Sequence, residues 1–308
     1  VNRSVKKIKL DCPINFLKSN KLEILLSNYG FRLNNNNPDC LVVNPGTDKF
    51  LGQDYFSNFD NLKVVGTPST GVNHLDKKYL DSRNIRIFCL LDNRDALEDI
   101  HASAEFTWIH IMNAMRKFST AIEKVSNWRD LENESYLRSN ELASKKIGII
   151  GLGRIGRKIA KYAEAFNMKI TYYDPYVINE NYDRVNDIRA LNDCDIISIN
   201  CYLTKETYGI IKYPILNNFK SNVIIVNTAR GEVVDEEYIY DMIINERIIY
   251  CADVLKNEQE ILKLKKSKLL NLKSDRLIIT PHVAGATKES QSKALSGILS
   301  ICQEYLNN

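Results

Sequence analysis

Several features that mark membrane, secreted or metal-binding proteins are missing from this sequence of 308 residues. No apolar run approaches the roughly 18 to 20 residues that cross a bilayer, and the N-terminal stretch lacks the apolar segment of a secretory signal. The seven cysteines stand mostly singly in apolar settings and never in C-x-x-C spacing, which argues against a zinc site or a disulfide framework. We therefore expect a cytoplasmic protein with reduced cysteines, no metal and no membrane contact.

A strong charge of either sign is also missing. The chain has 42 Lys and Arg against 38 Asp and Glu, and this interspersed balance does not indicate nucleic-acid binding. Apolar residues make up 44% and charged residues 26%, which is typical of soluble globular proteins. The length suits two domains of ordinary size.

Short apolar runs of strand length alternate with helical stretches along most of the chain. In the first hundred residues the runs are "VKKIKL", "CLVVN", "NLKVVGT" and "NIRIFCLL". From residue 145 they are "KKIGIIG", "MKITYYD", "CDIISIN", "NVIIVNT", "IIYCADV" and "RLIITPH", and six such strands complete a dinucleotide-binding sheet. Both series indicate βα units and parallel sheets.

The two series predict an α/β protein with two doubly wound parallel-sheet domains. A helical pattern from about Glu98 to Phe118 would connect them, and a last helix over 286–306 would return to the first domain. We expect a substrate domain over 1–98, a cofactor domain over 99–284 inserted in it, and the returning helix within 285–308.

A glycine-rich turn follows the first strand of the second series. Gly151, Gly153 and Gly156 form G-x-G-x-x-G, in which the first glycine permits a tight turn, the second lets backbone approach a pyrophosphate and the third lets helix and strand pack closely. The motif alone is weak evidence, but here a strand precedes it and an amphipathic helix follows. The N-terminus of that helix would bind the phosphates.

Asp174 ends the next strand, 18 residues after Gly156. It would accept hydrogen bonds from the ribose hydroxyls and repel a 2′-phosphate, and no arginine follows in "DPYVINE" to bind one. NAD is therefore the expected cofactor rather than NADP. The alternative is that Asp174 is a turn residue before Pro175.

Polar residues follow three further strands of the cofactor domain. Arg230, Asp253, Glu258 and His282 should meet at the carboxyl edge of the sheet, where ligands of such sheets bind. Arginine matches a carboxylate bidentately, and histidine, held in one tautomer by a glutamate, suits general acid catalysis near neutral pH. These residue types are the ones that hydride transfer to a 2-oxo acid needs. For His282 the alternative is a structural role, which is also the interpretation of His74 and His110.

The motifs "ELASKKIGIIGLGRIG", "YYDPY", "NTARGEVVDE", "ADV" and "TPHVAGAT" occur in the order found in the D-isomer-specific 2-hydroxyacid dehydrogenases, and the sequence resembles that family over nearly its whole length. The resemblance implies a Rossmann NAD-binding domain inserted in a flavodoxin-like substrate domain, and a homodimer formed through the cofactor domain. It implies a catalytic triad of Arg230, Glu258 and His282. It also implies that Asp253 lies near the nicotinamide amide.

The remaining site residues implied by the resemblance belong to the cofactor and substrate sites. The cofactor set also includes Arg154, Ile155, Thr228, Ala229 and Gly285, and the substrate set adds Ser69, Thr70 and Gly71 to Arg230. The expected reaction is hydride transfer between NAD(H) and a small 2-oxo or D-2-hydroxy acid. 3-Phosphoglycerate, glycerate or hydroxypyruvate, and phosphonopyruvate stay open as substrates. An NAD-responsive binding protein of the corepressor type on the same fold stays open as an alternative function.

Overall fold

The computed structural model describes residues 5–12, 17–44, 50–126, 128–258 and 260–308, the side chain of residue 133 excepted. The chain forms two compact units, one of Val1–Ile100 with Ala286–Asn308 and the other of His101–Gly285. Within the described ranges, no helix combines the length and apolar character needed to cross a membrane.

The first unit is a five-stranded parallel sheet with helices. Its elements are β1 Lys6–Asp11, α1 Ser19–Asn28, β2 Phe31–Leu33, β3 Cys40–Val43, α2 Gln53–Phe56, β4 Val64–Thr67, α3 Lys77–Ser82, β5 Arg86–Cys89 and α4 Arg94–Glu98, with α12 Lys288–Asn307 from the end of the chain. The strand order β2-β1-β3-β4-β5 is the flavodoxin-like order, which confirms that part of the predicted fold.

Helix α12 packs on this sheet at very short range. A Cβ added at Gly66 of β4 would lie 2.4 Å from Ile298 Cγ2, so only glycine allows this approach. Thr287 caps the helix by accepting from Ser290 N at 3.0 Å. Ile298 and Cys302 are fully buried.

The second unit is a seven-stranded parallel sheet with helices. Its elements are α5 Ala102–Arg116, α6 Phe118–Glu123, α7 Leu131–Leu137, β6 Lys146–Ile150, α8 Arg154–Ala165, β7 Lys169–Tyr173, β8 Asp183–Val185, β9 Ile196–Ile199, α9 Ile215–Asn218, β10 Val223–Asn227, α10 Glu236–Ile244, β11 Ile248–Ala252, α11 Ile261–Leu264 and β12 Leu277–Ile279. The order β12-β11-β10-β9-β6-β7-β8 reverses direction at β6, as in Rossmann folds. The doubly wound fold predicted for this domain is confirmed.

Two of the sequence-based expectations about strands were wrong by one strand each. The second sheet has seven strands instead of six, because β8 pairs with β7, and the first has five instead of four, because β2 pairs with β1. Both extra strands are three residues long, lie at a sheet edge and carry at least one charged side chain. Edge strands need no continuous apolar run, so the pattern search did not detect them.

The helix predicted from about Glu98 to Phe118 is interrupted. Helix α5 begins only at Ala102 and ends at Arg116, before Lys117, whose φ of 51° is left-handed, while α4 belongs to the first unit. Ile100 is buried in the core of the first unit and Ala104 in the core of the second.

Candidate active site

The glycine turn after β6 contains three glycines, and the surrounding backbone leaves no room for a side chain at two of them. Gly151 has φ +89°, and a Cβ there would lie 3.0 Å from backbone atoms of Asn200 and Cys201. A Cβ at Gly156 would lie 2.1 Å from the Gly151 carbonyl oxygen, so α8 can approach β6 only with glycine at that position. Both glycines are required by the fold itself.

Gly153 has no such structural reason. A Cβ there would meet no atom within 4 Å, and its φ of −72° suits any residue. It is the N-cap of the twelve-residue helix α8, which Arg154 and Ile155 begin. A glycine at this position leaves open space before a helix N-terminus, which is where amide groups and the helix dipole favour a phosphate.

Asp174 directly follows β7 and is tied to the glycine turn. Its Oδ2 accepts from Leu152 N at 2.8 Å, and its Oδ1 accepts from Tyr176 N at 2.9 Å and Val177 N at 3.0 Å. Only 8% of the residue is exposed. Because each carboxylate oxygen has two lone pairs, these bonds leave acceptor positions that ribose hydroxyls can use.

An arginine lies near Asp174 although none occurs in the stretch "DPYVINE" that begins with it. Arg184, from the edge strand β8, donates through Nη2 to the Asp174 carbonyl oxygen at 2.8 Å and to the Pro175 carbonyl oxygen at 3.2 Å. The expectation of no nearby arginine was drawn from the local sequence and did not include β8. The guanidinium is engaged by the turn itself, in which it bonds main-chain oxygens.

Glu258 and His282 form a hydrogen-bonded pair. The Glu258 Oε2 lies 2.6 Å from His282 Nδ1, and Glu258 Oε1 accepts from Leu255 N at 2.6 Å. A carboxylate accepts only, so Nδ1 carries the proton and Nε2 is the nitrogen left to exchange one. The His282 side chain is 35% exposed and that of Glu258 is 16% exposed. His282 has the left-handed φ of 54°.

Arg230 is joined to this pair through the glycine that follows it. A Cβ at Gly231 would lie 2.1 Å from Leu255 C and 2.2 Å from Lys256 N, so the Arg230 segment packs directly on the turn that ends in Glu258. Asn227, at the end of β10, donates from Nδ2 to the Arg230 carbonyl oxygen at 3.0 Å. The sequence-predicted residues Arg230, Glu258 and His282 are thus brought to one edge of the sheet.

Asp253 supports the segment that carries His282. Its Oδ1 accepts from Thr280 Oγ1 at 2.6 Å and from Val283 N at 3.0 Å, and its Oδ2 accepts from Ala284 N at 2.7 Å. His110 Nε2 lies 3.1 Å from Thr280 Oγ1. Since that hydroxyl donates to Asp253, Nε2 must be the protonated nitrogen of His110. Burial lowers the pKa of His110, and the Asp253 charge partly opposes this.

The other predicted cofactor residues lie close to this edge. Thr228 Oγ1 is 2.6 Å from Thr107 Oγ1 of α5, and Ala229 N donates to Asn227 Oδ1 at 3.1 Å. Gly285 is exposed, and a Cβ there would meet only Ser103 Oγ, at 3.9 Å.

The predicted substrate loop belongs to the first unit and follows β4. Ser69 Oγ donates to the Gly71 carbonyl oxygen at 2.7 Å and lies 3.0 Å from Thr67 Oγ1, which lies 3.3 Å from His74 Nε2. Thr70, between them, is partly exposed. Burial lowers the pKa of His74, consistent with its predicted structural role. The hydrogen bonds fix the shape of the loop.

Two arginines of the first unit that could bind a phosphorylated substrate, Arg83 and Arg86, lie at the amino end of the first sheet. Arg83 donates to the carbonyl oxygens of Phe56 and Phe59 at 3.0 Å, just before the start of β5. Arg86 is the first residue of β5, with its guanidinium 5.2 Å from the Phe88 ring centroid. Ligands of doubly wound sheets bind at the carboxyl end.

Sequence reasoning missed several residues that shape the site. Leu152, Asn227 and Thr280 each form at least one hydrogen bond to a predicted residue, and Glu236 bonds the turn before Glu258. Adjacency to a motif was a usable signal for Leu152, Asn227 and Thr280. No local signal distinguished Glu236 from the other acids of "DEE".

A family model matches most of the sequence of the second unit. The model of the D-isomer specific 2-hydroxyacid dehydrogenase, NAD binding domain, matches residues 108–284, more than half of the chain. The chain belongs to this family. Its second unit is therefore an NAD-binding domain of the D-isomer-specific 2-hydroxyacid dehydrogenase type, as predicted.

Relatives in this family include several enzymes. The chain is 34% identical over 265 residues to D-3-phosphoglycerate dehydrogenase of Methanocaldococcus jannaschii, covering 83% of this chain and 47% of that protein. It is 34% identical over 263 residues to glyoxylate reductase of Thermofilum pendens, covering 82% and 73%. The chain spans about half the length of the phosphoglycerate dehydrogenases it matches.

A solved structure of the family shares the fold. D-lactate dehydrogenase from Aquifex aeolicus, in complex with NAD and lactic acid, is similar with a TM-score of 0.76 and 25% identity, over 97% of this chain and 95% of that one.

Proposed function

We propose that this chain catalyses NAD-dependent hydride transfer between NAD(H) and a small 2-oxo or D-2-hydroxy acid. The observation that carries the proposal is the 2.6 Å bond between Glu258 and His282, in the same unit as the glycine turn. The relatives named above are dehydrogenases and reductases, which favours an enzyme over a corepressor-type binding protein.

The residues present fit the cofactor. The space before α8 at Gly153 would accommodate the pyrophosphate, and Asp174 would accept the adenosine ribose hydroxyls. Thr228, Ala229 and Gly285 would line the site at the carboxyl edge, and Asp253 would contact the nicotinamide amide besides supporting the segment 283–284. When bound, NADH supplies the hydride and NAD accepts it.

In this reaction His282 moves the proton. Glu258 holds Nδ1–H, which directs Nε2 toward the substrate oxygen and stabilises the imidazolium that forms or is consumed. In reduction, Nε2–H gives its proton to the carbonyl oxygen as hydride reaches the adjacent carbon. In oxidation, neutral Nε2 takes the hydroxyl proton.

The substrate carboxylate would be bound by Arg230. Arg230 is half-buried, and its guanidinium donates through Nη1 to the Ala229 carbonyl oxygen at 2.6 Å, which fixes one arm of the fork. A bidentate guanidinium–carboxylate pair orients the planar 2-oxo group as well as binding it. The main-chain amides of Ser69, Thr70 and Gly71 are proposed as further carboxylate donors.

The test is NADH consumption with glyoxylate, pyruvate, hydroxypyruvate, 3-phosphohydroxypyruvate, phosphonopyruvate and 2-oxoglutarate. Saturable turnover with one of them, abolished in His282→Ala, would support the proposal and name the substrate class. Tight NADH binding without turnover on any acid would contradict it and favour the NAD-responsive binding protein.

We also propose that two copies associate through the cofactor domain. Helices α5 to α7 and their connections expose large apolar side chains, with Trp128 78%, Leu131 80% and Phe118 62% exposed. A second copy of the same patch would remove this apolar area from water. Light scattering should give the mass of a dimer for the wild type and of a monomer for Trp128→Glu with Leu131→Glu. A monomeric wild type at micromolar concentration would refute this assembly.

A further inference from the structure

Glu236 is a partly buried acid beside the catalytic pair that has no role in the reaction described above. It is the first residue of α10 and follows Asp235, whose side chain caps that helix by accepting from Tyr238 N at 3.3 Å. The Glu236 Oε1 accepts the backbone N–H of Lys256 at 2.6 Å. Helix capping is therefore left to Asp235, while Glu236 bonds the turn that ends in Glu258.

Two carboxyl groups bind consecutive amides of that turn. Leu255 N donates to Glu258 and Lys256 N donates to Glu236, each at 2.6 Å. Gly231 packs against the same two residues, close enough that its missing Cβ would lie 2.1 Å from Leu255 C. Hydrogen bonds from side chains and packing of main chain thus fix the backbone from which Glu258 reaches His282.

The surroundings of Glu236 are short of positive charge. The pKa of Glu236 is raised to about 7, chiefly by burial and also by the Glu232 and Glu258 carboxylates, while the amide and the ammonium group of Lys256 oppose the rise. Burial raises the pKa of the Tyr250 hydroxyl, on β11, and the Glu236 carboxylate adds to this. The charge of Glu236 therefore changes near neutral pH, close to Glu258.

We propose that Glu236 is a positioning residue for the catalytic pair: its carboxyl holds the 255–258 turn in place, and its charge adds to the negative potential that Glu258 presents to His282. The inference rests on the proposed function for the role of that pair. The contact between Glu236 and Lys256 can be tested without it.

Two variants of Glu236 and one control distinguish its role as a hydrogen-bond acceptor from the effect of its negative charge. Glu236→Gln keeps an acceptor oxygen for the Lys256 amide and removes the charge, whereas Glu236→Ala removes both. Glu237→Gln is the matched control, because Glu237 is the next residue of α10, is exposed and pairs with Lys268 instead.

The kinetic expectation differs for each variant. Glu236→Ala should lower kcat at least about 10-fold, because the Glu258 turn is no longer held, while the Kd of NADH stays within about 2-fold. Glu236→Gln should keep kcat near pH 6 within about 3-fold. The basic limb of its pH profile should move to lower pH by roughly half a unit, because removing a negative charge makes protonation of His282 less favourable. Glu237→Gln should match the wild type.

Wild-type turnover in Glu236→Ala would overturn the positioning role. A wild-type pH profile in Glu236→Gln would overturn the electrostatic part. If NADH affinity fell in parallel with turnover in both variants, the role would be general stability of the unit and the inference would be wrong.

A readout independent of turnover is the Lys256 amide itself. In protein labelled with nitrogen-15 lysine, its signal is identified by its loss in Lys256→Arg. Its proton shift should follow the ionisation of Glu236 around neutral pH and should not do so in Glu236→Gln. A pH-independent Lys256 amide would refute the contact even if the enzyme is active. If no 2-oxo acid is reduced but the amide titrates as expected, the proposed function fails and the contact stands.

Discussion

Gly231→Ala tests whether the packing between the Arg230 segment and the Glu258 turn sets the catalytic geometry. The new Cβ would lie 2.1 Å from Leu255 C, 2.2 Å from Lys256 N and 2.5 Å from Leu255 O, all of them main-chain atoms. No side-chain rotation can relieve contacts with backbone. One of the two segments must therefore move.

The size of the movement follows from these distances. An ordinary van der Waals contact begins at 3.4 Å, so the segments must separate by more than 1 Å. A misplacement of about 1 Å in a catalytic group costs on the order of 100-fold in rate. We expect kcat to fall about 100-fold in Gly231→Ala. NADH affinity should fall much less, because the glycine turn of α8, proposed to hold the pyrophosphate, lies elsewhere in the unit.

The assay is steady-state NADH oxidation with the preferred 2-oxo acid, together with NADH binding followed by fluorescence. Gly52→Ala is the control for adding a methyl group, because its Cβ would meet only Phe50 ring atoms, 3.5 Å away. It should keep wild-type turnover. Wild-type kcat in Gly231→Ala would show that the Glu258 turn tolerates displacement, and would refute the geometric argument.

Four further outcomes are expected. His282→Ala should lower turnover by about 100-fold or more with NADH binding retained, as for loss of a general acid; unchanged turnover removes His282 from the mechanism. Asp174→Ala should raise kcat/KM with NADPH relative to NADH, and strict NADH dependence in that variant would place the ribose contact elsewhere. Gly153→Ala should keep the wild-type Tm but weaken NADH binding by about 10-fold or more, because its methyl group enters the space proposed for the phosphates. Gly156→Ala should instead lower the Tm, because its methyl group would meet backbone. Equal Tm values for the two variants would contradict this distinction. The pKa of Glu236 in the folded protein is raised from 4.5 to about 7, so the wild type should lose stability relative to Glu236→Gln as pH rises from 4.5 to 7, by up to ~3 kcal/mol. Urea unfolding of both proteins across this pH range measures the difference. A difference that does not depend on pH would show that this carboxyl is not buried as described.

The short edge strands are the part of the fold that the sequence did not predict. The central strands were predicted because both of their faces are buried, which produces apolar runs such as "VIIVN" of β10. The three-residue strand β8 has no such run and was not predicted. As a result, the contact of its residue Arg184 with the Asp174 carbonyl oxygen was not predicted either. An error in counting strands thus became an error about the charges near the proposed ribose site.

Glu236 illustrates the same limit for the candidate site. Its neighbour Asp235 caps α10, and Glu237 pairs with Lys268 at the surface, although the three acids are consecutive in the sequence. Only the position of the turn at Lys256, twenty residues later, distinguishes them. No periodicity or motif encodes that distance.

By itself the sequence determined the two parallel sheets, the glycine turn and the order of the polar residues at the strand ends. It could do so because burial on both faces, tight turns and close backbone approach each restrict residue type locally. The tertiary structure decided which atoms meet: Glu258 with His282 Nδ1, Gly231 with the backbone of Leu255, and Glu236 with the Lys256 amide. Those contacts join segments that are distant along the chain, and they exist only once the strands have been ordered in the sheet.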